Sequence, residues 1–306
     1  MKEENLTRYA WLSIAAAVVT ISLKAGAYLV TGSVGLLSDA LESIINLVAA
    51  IVALWVLKVA AQPADEEHMF GHGKVEYFSS GIEGALIFIA ALSIGYTAVE
   101  RLFDPKPLEQ IGVGLVISLL ATGINFFAAR VLLRAGKKHH SIVLEADGHH
   151  LMTDVWTSVG VVVGVSAVTF TGWLRLDPIV AILVALNILW SGWDLIKRSV
   201  QGLIDAALPK DLHEKIVQVL DEFVQRENIA YHALRTRQAG SQKFITVHIL
   251  VPGAWTVQQG HDLVERIEDR LRQEINNSVV FTHLEPLEDP VSYEDVELVR
   301  STSPPL

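Results

Sequence analysis

Six apolar segments, each long enough to cross a lipid bilayer, follow one another through the first two-thirds of this chain. They lie at roughly Arg8–Val30, Gly35–Ala60, Tyr77–Leu102, Ile111–Arg134, Glu145–Phe170 and Asp177–Gly202, and about 20 helical residues suffice for a hydrocarbon core about 30 Å thick. Only the fourth and fifth contain a charge-free run of full length. The other four become spans if Lys24, Glu42, Glu83 and Asp194 are accepted near their ends or faces. The chain is 51% hydrophobic and 19% charged over 306 residues, which together with this clustering predicts a polytopic α-helical membrane protein with a soluble tail. Tyr9–Leu23 lacks the small-residue pattern of a cleavable signal, so the first span is expected to be retained.

Two of the spans carry polar residues at one repeated spacing. Asp39-x-x-Glu42-x-x-x-Asn46 and Asp147-x-x-His150-x-x-x-Asp154 are both i, i+3, i+7 patterns, which bring three side chains onto one helical face. Such groups are costly at bilayer depth unless something compensates them. Glu42, Asn46, His150 and Asp154 offer four oxygen or nitrogen donors from two helices, enough for tetrahedral coordination of a divalent transition ion. Interhelical hydrogen bonding or a structural ion pair is the competing explanation.

Other chemistries are narrowed by what is missing. The chain has no cysteine, which removes disulfides, thiolate sites and thiol nucleophiles. It lacks a His-Glu-x-x-His pair, a Gly-x-Ser-x-Gly elbow and a phosphate-binding Gly-x-x-x-x-Gly-Lys loop, so neither an enzyme nor an ATP-driven pump is expected. The net charge is −10, and from Leu203 onward 17 acidic residues face 10 basic ones. Nucleic acid is therefore not an expected partner.

Basic residues fix the expected orientation. Lys2, Arg8, Lys58, Lys74, Arg130, Arg134, Lys137, Lys138, Lys197 and Arg198 fall on one side, against Arg101, Lys106 and Arg175 on the other. The positive-inside rule places both termini and the loops Gln62–Gly73 and Gly136–Ser141 in the cytoplasm. Residues 1–206 are expected to form the membrane domain. Residues 207–290 are expected to form a cytoplasmic α-β-β-α-β domain: a helix from Pro209 to about Glu227, strands at Ala230–Thr236 and Phe244–Val251 around a Gly240 turn, a helix Val257–Ile275 and a strand Val279–Leu284. Residues 291–306 are expected to be disordered.

Two further groups attract attention. Asp65, His68 and His72 stand in the loop after the second span, where two histidines and an acid can bind zinc or simply be solvated. His232, His248, His261, His283 and Glu285 are spread through the tail without a contiguous metal motif, and histidines that bind nothing are the default there. His139, His140, His149 and His213 are read as loop, interfacial or surface residues.

Taken together, Gly32-Ser33, the run Leu36–Asn46, Phe70-Gly-His72-Gly-Lys74-x-Glu76, His150-x-x-x-Asp154 and Asp205-x-Ala-Leu-Pro209 resemble the cation diffusion facilitator family. The likeness is to its bacterial zinc and ferrous-iron efflux members of the YiiP type, and it runs from about Arg8 to Pro286. The resemblance implies that the tail is a metallochaperone-like domain. It also implies that Glu42, Asn46, His150 and Asp154 form a transport site, that Asp65, His68 and His72 form a loop site, and that His232, His248, His261, His283 and Glu285 form a paired metal site in the tail. It further implies a multi-pass protein of the inner (plasma) membrane and a homodimer with a charge interlock made by Lys74 and Asp205. Proton-coupled efflux of a divalent metal is the expected activity, with the metal also acting as a regulatory ligand. A membrane-anchored metal sensor without transport is the alternative.

Family members that carry zinc usually present Asp or His at the positions of Glu42 and Asn46. An amide in place of a carboxylate removes one negative charge, and Glu42 reaches one methylene further. Both changes shift the expected preference from zinc toward ferrous iron, manganese, cobalt or nickel.

Overall fold

In the computed structural model, residues 6–31, 34–104, 113–294 and 296 are described. The side chains at positions 27, 30, 31, 34–42, 45, 113–115, 118, 165 and 169 lie outside that description. The chain forms two compact units, Met1–Gln201 and Gly202–Leu306.

The first unit holds long helices α1 (Thr7–Thr31), α2 (Val34–Ala60), α3 (Val75–Phe103), α4 (Val113–His139), α5 (Ile142–Thr171) and α6 (Leu176–Leu203). Among the described residues five of these are long and apolar enough to cross a membrane, and the described apolar part of α2 is Asn46–Ala60. Helices are the form available to such segments, because the backbone in lipid must bond to itself. The residues these helices bury are mostly small: Ala10, Ala16, Ala50, Ala53, Ala91, Ala128 and Ala129 are within 6% of complete burial, whereas Trp55, Phe78, Leu86, Phe127 and Trp190 point outward. In lipid there is no hydrophobic gain from burying a large side chain, so close packing of small residues holds helices together. Gly84 and Gly192 show this on α3 and α6. A Cβ on Gly192 would meet the Phe88 nitrogen at 3.0 Å and the Gly84 oxygen at 3.1 Å, so α3 and α6 touch backbone to backbone.

The helices match the expected spans to within a few residues, with one exception. α4 runs to His139 instead of ending near Arg134, so the expected Gly136–Ser141 loop shrinks to a tight turn at His140, whose φ is +54°. Gly136 does not break the helix there. It is the point at which α5 crosses, since a Cβ on it would meet the Glu145 nitrogen at 2.8 Å.

The second unit comprises α7 (Lys210–Arg226), β1 (Ala230–Ala239), β2 (Gln242–Val251), α8 (Val257–Glu274) and β3 (Ser278–Pro286). The sheet order is β1-β2-β3, with β1 antiparallel and β2–β3 parallel. Strand alternation divides β2 between two faces. Ile245, Val247, Ile249 and Val251 join Ile216 and Leu220 of α7 and Leu263, Ile267 and Leu271 of α8 in the core, leaving Thr246 and His248 on the helix-free face. Thr256 and Gln259 close a capping box that starts α8. Residues 290–293, which overlap the segment expected to be disordered, form a 3-10 turn in which Tyr293 donates to the Leu287 carbonyl. Residues 297–306 lie outside the description.

Candidate metal centres

Inside the helical unit, Asn46 of α2 meets His150 and Asp154 of α5. His150 Nε2 lies 2.6 Å from Asn46 Oδ1, and Asn46 Nδ2 donates to Asp154 Oδ2. Asn46 is 4% exposed and the two α5 residues are half-buried. The i, i+4 spacing on α5 puts imidazole and carboxylate one above the other, and α2 presents its amide between them. Glu42 stands one turn before Asn46 on α2, but its side chain, like that of Asp39, lies outside the described residues.

A further residue completes this cluster. Asn125 of α4, 3% exposed, donates to Asp154 Oδ2 at 3.4 Å, so three helices contribute. It sits in the charge-free run of the fourth segment. An uncharged amide inside an apolar run was the available signal.

In the loop after α2, Asp65 organises its own histidines. Its Oδ1 accepts from the backbone nitrogens of Glu67 at 3.1 Å and His68 at 2.6 Å. The two carboxylate oxygens then reach His68 Nδ1 and His72 Nε2, both at 3.3 Å. The rings of His68 and His72 are 4.4 Å apart, and Gly71, at φ +79°, makes the turn that brings them together. The His68 backbone N–H holds the Asp65 carboxyl below its usual range, helped by the His68 and His72 side chains. One oxygen and two nitrogens are close enough for a single ion.

On the helix-free face of the sheet, His232 pairs with His248 across β1–β2, and His248 pairs with His283 across β2–β3. Adjacent rings lie 5.0 Å apart in both pairs. A bulge between His232 and Arg235, with Ala233 at φ +50°, adds the extra residue that sets the facing of β1. Tyr231 points the other way, toward α7. There its hydroxyl donates to Asp221 at 3.0 Å, and burial together with that carboxylate pushes the phenol up to about 12.

Glu285, two residues after His283 and so on the same face, is the centre of the group. Its Oε2 is 2.8 Å from His232 Nε2 and 3.3 Å from His248 Nδ1, and its Oε1 is 3.5 Å from His283 Nε2. One carboxylate thus faces histidines from each of its oxygens, an arrangement suited to bridging two ions. His232, His248 and Glu285 converge tightly enough to hold one, and His232 Nδ1 is buried without a hydrogen-bond partner among the described residues. His283 is 63% exposed.

His261 is not brought to this group within the described chain. It is exposed on α8, a helix that packs on the other face of the sheet. Asp205, expected in a charge interlock with Lys74, lies 3.3 Å from Arg237 of its own unit, and Lys74 precedes the first residue of α3 without a side-chain capping bond.

A family model described as "Cation efflux transmembrane domain" matches residues 10–204. A second, "Cation efflux protein, cytoplasmic domain", matches residues 208–287. The chain belongs to the cation diffusion facilitator family. This transporter is 54% identical to an uncharacterized transporter of Synechocystis over 296 residues, covering 97% of this chain and 95% of that one. It is also similar to the cation-efflux pumps FieF of Serratia proteamaculans and of Klebsiella pneumoniae. Identity to each is 30%, over 272 residues (89% of this chain, 90% of that one) and 281 residues (92% and 93%) respectively. It is therefore a multi-pass cation efflux transporter with a tail of the family's cytoplasmic type.

Proposed function

We propose that the transporter moves divalent transition-metal ions out of the cytoplasm in exchange for protons, with Glu42, Asn46, His150 and Asp154 as the transport site. The convergence of Asn46, His150 and Asp154 from two separate spans carries this reading. A dication there replaces the hydrogen bonds that Asn46 makes in its absence, and neutralises carboxylates that lipid would reject. His150 Nε2 cannot hold a metal and a proton together, so a proton arriving at that nitrogen displaces the ion. Asp154 and Glu42 share the proton load.

The ligand set, with an amide where a carboxylate or imidazole would favour zinc, supports ferrous iron, manganese, cobalt or nickel beside zinc. In the tail, His232, His248, His283 and Glu285 act as a regulatory metal site within a homodimer, with His261 assigned to it by family resemblance alone. The loop triad Asp65, His68 and His72 is a further regulatory or delivery site. Lys74 and Asp205 form the interlock at the cytoplasmic surface of the inner membrane, where Asp205 exchanges its Arg237 partner. Both termini are cytoplasmic in this reading, and residues 1–206 and 207–290 are its functional domains.

Everted vesicles with an acidic interior test the proposal. Divalent metal should accumulate, and Asp154→Ala should abolish accumulation while the protein remains folded. Uptake that survives Asp154→Ala rules out the assigned site.

A further inference from the structure

Asp147 shares a helical face with His150 and Asp154, three residues and about 4.5 Å of rise nearer the start of α5, yet among the described residues it makes none of the hydrogen bonds of the cluster around Asn46. Its side chain is 1% exposed. One carboxylate oxygen accepts a 3.0 Å bond from the Ser13 hydroxyl of α1. The other is buried and, among the described residues, has no hydrogen-bond partner. Glu83 of α3, 8% exposed, stands two turns beyond Glu76, whose carboxylate meets Ser141 at the start of α5, and the Asp147 carboxyl acts on it electrostatically. Glu83 Oε1 is buried and unpartnered in the same way, as is the hydroxyl of Ser80 one turn before it.

The other acids of this region are compensated. Glu145 pairs with Arg198 of α6 at 2.6 Å. Glu76 accepts from the Ser141 hydroxyl at 2.6 Å and from backbone nitrogens at the start of α5, where a helix terminus favours negative charge. Glu83 and Asp147 have neither device. Among the described residues, the charged group that acts on Glu83 is Asp147, and the one that acts on Asp147 is His150. Two buried carboxyl groups on packed helices, each with an oxygen unpartnered among the described residues, carry more charge than one hydroxyl offsets, and a dication neutralises both.

We infer that Glu83 and Asp147, assisted by the Ser13 hydroxyl, form a second divalent-cation position built from oxygen donors alone. It lies beside the Asn46–His150–Asp154 site, toward the end of the helix bundle from which the tail departs. The Glu145–Arg198 pair fixes that direction, because it joins the first turns of α5 to the last turns of α6. Two carboxylates match the charge of one dication, and an all-oxygen set suits a hard ion such as manganese better than zinc. An ion held here is one step of helix rise from the histidine-containing site, so the pair serves as a staging position for the transported metal. The inference rests on the transporter reading above and deepens it.

The test uses the full-length chain in detergent with Mn²⁺ as the probe. Bound and free ion are counted by the electron paramagnetic resonance of the free aquo ion. The background combines Asp154→Ala, Asp65→Ala with His68→Ala, and His232→Ala with His248→Ala, which disables the other candidate centres. One Mn²⁺ per chain should remain. Glu83→Gln or Asp147→Asn in that background should weaken it by more than about tenfold, since loss of a ligand costs at least what loss of an outer-shell partner does, and Glu83→Asp should retain it. Folding is checked by placing Glu83→Gln alone in the otherwise unaltered chain, where Co²⁺ spectra of the histidine sites should be unchanged. A background that binds no Mn²⁺, or binds it equally with Glu83→Gln, overturns the inference. An unaltered chain whose ion count does not fall on Asp154→Ala overturns the transport-site reading instead.

Discussion

His150 Nε2 and the Asn46 side-chain oxygen are 2.6 Å apart, on helices whose sequence positions differ by 104 residues. An amide oxygen only accepts, so the imidazole nitrogen must be the donor in this pair. The same Nε2 lone pair is what a metal would need. Binding an ion therefore means removing that proton and turning the Asn46 oxygen from a hydrogen-bond acceptor into a ligand.

Asn46→Asp changes that balance in a defined direction. A carboxylate adds a full negative charge beside the ion. At an effective dielectric of about 20, unit charges about 4 Å apart interact by about 4 kcal/mol before desolvation is subtracted. Zinc should gain at least about tenfold over ferrous iron and manganese in competitive uptake through the purified protein. Unchanged ratios would show that the amide does not set selectivity.

Asn125 supports Asp154 from α4, and its own Oδ1 is buried without a partner among the described residues. Asn125→Ala leaves the carboxylate less firmly oriented and frees no large cavity. Metal affinity at the transport site should fall by about 10–100-fold, the usual effect of losing an outer-shell partner, with thermal stability little altered. Direct binding measurements in the absence of a gradient read this. An affinity equal to that of the parent protein would remove Asn125 from the site.

Much of this was legible in the sequence, and the exceptions have physical causes. The spans follow from hydropathy, and the pairing of His150 with Asp154 follows from helical spacing. Asn125 escaped because it is uncharged in a segment judged by charge. The end of α4 was misplaced because Gly136 reads as a breaker when it is in fact the close-approach point for Glu145 on α5. The alignment of His232, His248 and His283 depends on strand register and on a bulge at Ala233, neither of which leaves a periodic trace. His283 and Glu285 share a face by simple alternation, and that part could be read directly.

Glu285 tests the tail. It is 8% exposed, hydrogen-bonds to His232 of β1 and lies 3.3 Å from His248 of β2. A ligand bound only by the folded state stabilises it by about 2.7 kcal/mol at a hundredfold excess over its dissociation constant. Zinc added to the full-length protein should raise the melting temperature of the tail accordingly. Glu285→Gln, which preserves shape but removes the charge, should abolish most of that rise while changing metal-free stability little. An undiminished rise would mean that the histidines bind without the carboxylate.

Asp65 makes a separate claim about pH. Its pKa is lowered, chiefly by the His68 backbone N–H, so its contribution to the loop is present above the ordinary carboxylate range of about 3.9. That contribution is lost as pH falls through the lower folded value. Between about pH 5 and 8 the carboxylate is therefore constantly ionised, and the proton competition at this site falls to His68 and His72 alone. Binding of zinc to the loop should weaken as pH drops through that window. Asp65→Asn should weaken it across that window, whereas His72→Ala should flatten the pH dependence. The measurement is a series of zinc titrations on the full-length chain with His232→Ala and Asp154→Ala in place, so that the loop is the remaining histidine-rich centre. A zinc affinity unchanged by Asp65→Asn would remove the carboxylate from the loop site.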